Sequence, residues 1–132
     1  MIVHGESVCK WVGFHSGGDY HGGGQGIGIV KDGRIVCGVL FENCNGRSIQ
    51  IHVALEPGQR ITREWLKVLF NYAFNQLKVN KIIGPIDSEN KASLRFTRHI
   101  GFVDEAVIKD AGKHGDLCIL TMTRQQCRFL KD

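Results

Sequence analysis

From residue 26 onward, apolar and polar positions fall into short runs separated by turn signals. Residues 26–30 (GIGIV) and 34–41 (RIVCGVLF) predict two strands joined at Asp32-Gly33, a dipeptide suited to the tight turn of a hairpin. Asn45-Gly46 predicts a second turn. Residues 48–55 (SIQIHVAL) then alternate, with Ile49, Ile51, Val53 and Leu55 on one face and Gln50, His52 and Ala54 on the other. The three strands make an antiparallel meander that Pro57-Gly58 ends. The period then changes. Leu66, Leu69, Phe70, Ala73 and Leu77 recur at helical spacing and predict a helix over 62–78, flanked by Trp65 and Tyr72. Thr62 is its expected N-cap, and Glu64 falls in the first turn, where the helix dipole favours negative charge.

Residues 81–86 (KIIGPI) read as a short apolar strand of the buried kind. Residues 89–100 read as a second helix, closed by Gly101. Residues 102–110 and 116–123 predict a final hairpin around 111–115, and a short tail follows. The predicted order is β-β-β-α-β-α-β-β. A helical crossover from the meander to the strand at 81–86 makes that connection parallel. The expected class is therefore α/β, an α+β arrangement on a mixed sheet with at least one helix on each side. Residues 1–25 look different. The stretch HSGGDYHGGGQG is expected to be loop, because glycine gives up much backbone freedom on ordering, and only residues 8–14 (VCKWVGF) could form a strand there. The whole of 1–132 reads as one domain: a Gly/His-rich N-terminal segment over 1–25 and a core over 26–130.

Composition narrows the class without changing this picture. The chain is 42% hydrophobic and 23% charged, ordinary for a globular protein. No apolar run approaches the roughly 20 residues of a membrane span. The first residues, MIVHGESVCK, lack the charged start and apolar stretch of a secretory signal, which points to a cytoplasm. Five cysteines with no CxxC pair argue against a disulfide framework or zinc knuckle. Cys37 and Cys118 lie in apolar runs and read as small core residues, and nothing around Cys127 marks it as a nucleophile. The net charge of +4 is spread along the chain; it suits solubility, and a nucleic-acid partner would rest on that charge alone. His15, Asp19 and His21 have no recognised ligand spacing and read as loop rather than a metal site. The glycine run at 22–28 precedes a strand and leads into no helix, so it is not a dinucleotide loop.

The segment from Asn90 to Phe102 (NKASLRFTRHIGF) resembles the Asn-x-x-Ser/Ala, seven residues, Gly-Phe signature of the GNAT N-acetyltransferase superfamily. The element order is similar to that fold with a truncated N-terminal region. Residues 64–74 (EWLKVLFNYAF) resemble the helix after the family's cofactor loop, and residues 115–130 are similar to the ending of a GNAT-like group carried by phages and prophages. The resemblance covers about residues 26–130 and implies an acetyl-CoA-dependent N-acetyltransferase acting by direct transfer on an amine of a protein, peptide or small molecule. In that reading acetyl-CoA lies where the strand at 48–55 splays from the strand at 81–86. Its pantetheine pairs with backbone at Val53, Ala54 and Leu55 and meets Asn90 and Ser93. Its pyrophosphate rests at the helix N-terminus formed by Gln59, Arg60, Ile61, Thr62 and Arg63, where free N–H groups and the dipole attract anions.

The chain departs from the family pattern in two places. Arg60 and Thr62 stand where the family has small residues, and Arg60 and Arg63 could compensate by direct charge-assisted contact. Thr97 stands where many members carry a tyrosine general acid. Asn90 could equally cap its helix. His52 and Glu56 are the candidate bases, His52 for its intrinsic pKa, although a histidine on a sheet face can equally be structural. A non-catalytic GNAT-fold phage protein, acting by acyl-CoA binding or protein contact in a host cytoplasm, is the rival reading. The fold often forms homodimers, which the resemblance also allows here.

Overall fold

In chain order the strands are Ile2–His4 (β1), Gln25–Lys31 (β2), Arg34–Glu42 (β3), Ser48–Leu55 (β4), Lys81–Asp87 (β5), Val103–Ile108 (β6) and Leu117–Thr123 (β7). The helices are Glu6–His15 (α1), Arg63–Asn71 (α2) and Lys91–His99 (α3). The computed structural model describes residues 1–16 and 20–130. One sheet takes the order β1-β2-β3-β4-β5-β7-β6, antiparallel throughout except for the β4–β5 pair. The mixed sheet expected from the sequence is present. The meander turns on Asp32 and Gly33, both in the left-handed region (φ 53° and 78°), as a hairpin of this dipeptide requires.

The N-terminal segment corrects the sequence reading. Residues 8–14 are not a strand but the body of α1, and β1 adds an edge to the sheet beside β2. The observed order is therefore β-α-β-β-β-α-β-α-β-β. α1 buries Val8, Cys9 and Val12 against Leu40 and Ala54. It can do so because the sheet beneath it is floored with glycine. A Cβ on Gly26 would lie 2.8 Å from Val8 Cβ, and one on Gly38 would lie 2.8 Å from Val12 Cγ2. The glycines of GIGIV and CGV thus give up side chains so that a helix can lie close.

The other face carries the main core. Ile49, Ile51 and Phe41 pack there with Trp65, Leu66, Leu69 and Phe70 of α2, so the alternation along β4 separates two cores as its pattern implies. Thr62 is the N-cap of α2: its Oγ1 accepts from the Trp65 N–H at 3.1 Å. The predicted helix over 62–78 is regular only to Asn71. It widens into a π-turn over Tyr72–Gln76, in which the Leu77 N–H donates to the Tyr72 carbonyl at 2.9 Å. Lys78, left-handed at φ 58°, then ends it. Arg124 ties the tail to this turn by donating to the Phe74 carbonyl and, at 2.6 Å, to Asn75 Oδ1. The tail is core rather than fringe: Phe129 is buried and stacks on Phe70 with 5.5 Å between centroids. Among the described residues no helix is long and apolar enough to cross a membrane.

Candidate active site

The parallel pair β4–β5 is brief. Ser48, Ile49 and Gln50 pair with Lys81, Ile82 and Ile83, and the ladder stops there. β4 nevertheless runs on against β3 as far as Leu55, and β5 runs on against β7 as far as Asp87. The two strands diverge while each keeps its outer neighbour. From Ile51 onward, the backbone of β4 that faces β5 has no strand partner. Pro85 of β5 suits this break, since it has no N–H to give an adjoining strand.

The divergence opens a cleft of about 860 Å³, of the size that holds a cofactor. Its walls bring together His52, Val53, Ala54 and Leu55 of β4, Gly84 to Asp87 at the end of β5, and Asn90, Ser93, Phe96 and Thr97 at α3. His15 and Ser16 at the end of α1 and Lys113 and His114 between β6 and β7 border it. Of the residues singled out from the sequence, Glu56 and Gln59–Arg63 are not part of this lining. The latter segment follows β4 through a turn in which the Gln59 N–H donates to the Glu56 carbonyl at 3.2 Å, and leads into the N-terminus of α2. There the first amides of the helix, those of Arg63 and Glu64 included, have no acceptor within the helix. Arg60 is exposed, and Ile61 packs on the core. The Arg63 guanidinium lies over the Phe129 ring, 5.4 Å from its centroid. Gln59 Oε1 accepts from Lys31 Nζ at 3.4 Å.

The two candidate bases have different surroundings. Glu56 is gripped by Arg34, whose Nη2 and Nε donate to its two oxygens at 2.9 and 3.1 Å. The Arg34 hydrogen bonds hold the Glu56 carboxyl below the usual carboxylate range, which makes it a poor acceptor of a proton. His52 lines the cleft, and its Nε2 lies 3.0 Å from Glu42 Oε1. Glu42 is not marked in the sequence, because its place beside His52 depends on the β3–β4 register. Leu40 pairs with His52 and Glu42 with Gln50, so Glu42 is the diagonal neighbour of His52 on the same face.

Asn90 caps α3, its Oδ1 accepting from the Ser93 N–H at 3.2 Å, and it also lines the cleft; the capping and cleft-facing roles coexist. Thr97 is buried in the cleft wall. His15 Nδ1 donates to the Trp11 carbonyl at 2.8 Å, and the ring stacks on Trp11. Asp19 lies outside the described residues, and among those described no group of three or more His, Cys, Asp or Glu could hold a metal ion. Cys127 is buried, and burial raises its thiol pKa; Cys37 is pushed the same way, to about 11. Neither thiol is placed to act as a nucleophile.

A mixed sheet split at its one parallel pair, with a capped helix N-terminus just beyond the split, is the architecture of the acyl-CoA N-acyltransferases. The chain belongs to the acetyltransferase (GNAT) domain family, whose model matches residues 6–103. That match begins at α1, whose residues 8–14 read from the sequence as a possible strand. Among solved structures, the chain is similar to a probable acetyltransferase at 23% identity and a TM-score of 0.66, covering 77% of this chain and 62% of that one. It thus spans less than two thirds of that relative's length. It is similar also to a mutant of the spermidine N-acetyltransferase SpeG from Vibrio cholerae, at 18% identity and a TM-score of 0.68 over 82% of this chain and 69% of that one. The N-acetyltransferase PseH of Campylobacter jejuni, solved with acetyl coenzyme A, matches at 19% identity and a TM-score of 0.59 over 76% and 68% of the two chains. No curated protein matches the chain.

Proposed function

We propose that this chain is an acetyl-CoA-dependent N-acetyltransferase acting by direct transfer. The observation that carries this reading is the break in the β4–β5 ladder after Gln50 and Ile83, which leaves the edge of β4 unpaired beside a cleft. The residues present suit the co-substrate. The free backbone of Val53, Ala54 and Leu55 offers ladder-like hydrogen bonds to the pantetheine amides, and Asn90 and Ser93 stand across the cleft from it. The N-terminus of α2, with Gln59 to Arg63 leading into it, offers amides and two arginines to the pyrophosphate.

α2 and α1 cover opposite faces of the sheet. With phosphates at the N-terminus of α2, the thioester end emerges towards the α1 face, where His52 stands. The acceptor must arrive as a neutral amine. Its lone pair attacks the thioester carbon, forming the C–N bond and an oxyanion that an unpaired β4 amide can receive. His52 takes the proton the amine sheds. The C–S bond then breaks, the thiolate leaves and picks up a proton, and an acetamide and free CoA remain. Thr97 offers no phenol to supply that last proton, so solvent or the His52 imidazolium supplies it.

Calorimetry with acetyl-CoA should show saturable binding, and acetyl transfer should appear against a panel of peptide N-termini, lysine peptides, spermidine and amino sugars. His52→Ala should lower kcat by about 100-fold or more with little change in acetyl-CoA affinity. Absence of heat at millimolar acetyl-CoA overturns the reading. Binding without transfer to any amine favours the non-catalytic alternative, which Arg60, Thr62 and Thr97 at atypical positions motivate.

A further inference from the structure

His52 projects from β4 onto the face that α1 covers, with Leu40 directly opposite it on β3. Two residues further along β3, Glu42 reaches diagonally across so that its Oε1 lies 3.0 Å from His52 Nε2. Both side chains are about three-quarters shielded, with exposures of 27% for His52 and 23% for Glu42. The residue directly opposite Glu42 is Gln50, whose Oε1 accepts from Asn43 Nδ2 at 3.3 Å. Asn43 can do this because it turns the chain back at φ 58°, a left-handed conformation that asparagine tolerates. On the α1 side, burial raises the Cys9 thiol pKa, and the charges of Glu6 and Glu42 push it the same way, which leaves a neutral thiol as the neighbour there.

From this arrangement we infer that Glu42 is a positioning residue for His52: it accepts the Nε2–H hydrogen bond, holds the neutral ring in that tautomer and leaves the Nδ1 lone pair to receive the proton of the acceptor amine. The inference rests on the reading of His52 as the base. In a neutral imidazole one nitrogen carries the proton and the other the lone pair, so fixing the first fixes the second. A carboxylate in this place also faces the positive charge that arrives with the proton, as the aspartate of a Ser-His-Asp triad does.

The test has one arm that needs no turnover. Long-range proton–nitrogen correlation spectra of the free protein at about pH 8 should show His52 as the Nε2–H tautomer. Glu42→Gln should preserve that signature, because its amide oxygen still accepts, and Glu42→Ala should lose it. In steady-state kinetics Glu42→Ala should lower kcat by at least about tenfold, with KM for acetyl-CoA within twofold of wild type, and Glu42→Gln should recover part of the loss. An active wild type whose tautomer is unmoved by Glu42→Ala overturns the role of Glu42 alone. A wild type that binds acetyl-CoA but transfers to no amine overturns the assignment of His52 as base, and the role of Glu42 with it.

Discussion

Asp87 ends β5 and fastens the border of the cleft. Its Oδ2 accepts from the His114 N–H at 2.6 Å and its Oδ1 from the Glu89 N–H at 2.9 Å. Beside it, Ser88 exchanges hydrogen bonds with Asp116: the Ser88 N–H donates to the Asp116 carbonyl at 2.8 Å, and Ser88 Oγ accepts from the Asp116 N–H at 2.9 Å. The fit leaves no room for a side chain at Gly115, where a Cβ would stand 2.5 Å from Ser88 Oγ. The amide donors, His114 first, hold the Asp87 carboxyl below the usual carboxylate range. A group lowered on folding adds stability above its unfolded pKa, about 3.9 for aspartate, and loses it as pH falls through the folded value. Asp87→Ala should therefore speed hydrogen exchange at the His114 amide at neutral pH, and wild type should show the same loosening only below about pH 4. His52 and Asn90 could be picked from the sequence because their residue types announce chemistry. Asp87 and Glu42 could not, because their roles depend on which backbone or ring comes near, and that is set by strand register and loop closure.

Most elements were legible because their periods were clean. The alternation at 48–55 and the stripe from Leu66 to Ala73 each appear where expected. α1 was not, although Val8, Cys9 and Val12 do recur at helical spacing. The glycines around it masked the signal, and its N-cap is Gly5, which carries no capping side chain. Gly26, Gly28 and Gly38 lie in strands, as the pattern predicts, but that they floor a helix shows only once α1 is seen above them. The π-turn at Tyr72–Gln76 likewise left no mark in the pattern, since one extra residue in a turn shifts the period too little to see. The cap of α2 supports a prediction at this scale. Thr62→Ala, which removes the acceptor for the Trp65 N–H, should cost about 1 kcal/mol and lower Tm by about 4 °C, and Thr62→Ser should retain most of both.

For the molecule as a whole, the split between β4 and β5 divides the sheet into a four-stranded part, β1 to β4, and a three-stranded part, β5 to β7, joined by three residue pairs. Along Ile51–Leu55 the main chain has no strand partner on the β5 side, so amides of this stretch that face β5 should exchange rapidly in the free protein. Acetyl-CoA should slow them markedly while leaving the β3–β4 ladder amides nearly unchanged, measurable by residue-resolved hydrogen exchange. Equal protection with and without acetyl-CoA would mean that no chain threads the gap. From the sequence the splay is expected only through family resemblance; in the structure Pro85, with no N–H to give a neighbouring strand, accompanies it.

The close seating of α1 reaches further than its own packing. Gly26, Gly28 and Gly38 let the helix ride low, and its last turn then falls level with the slot, where His15 and Ser16 form part of the border. Three absent methyl groups thus set the height of one rim of the cleft.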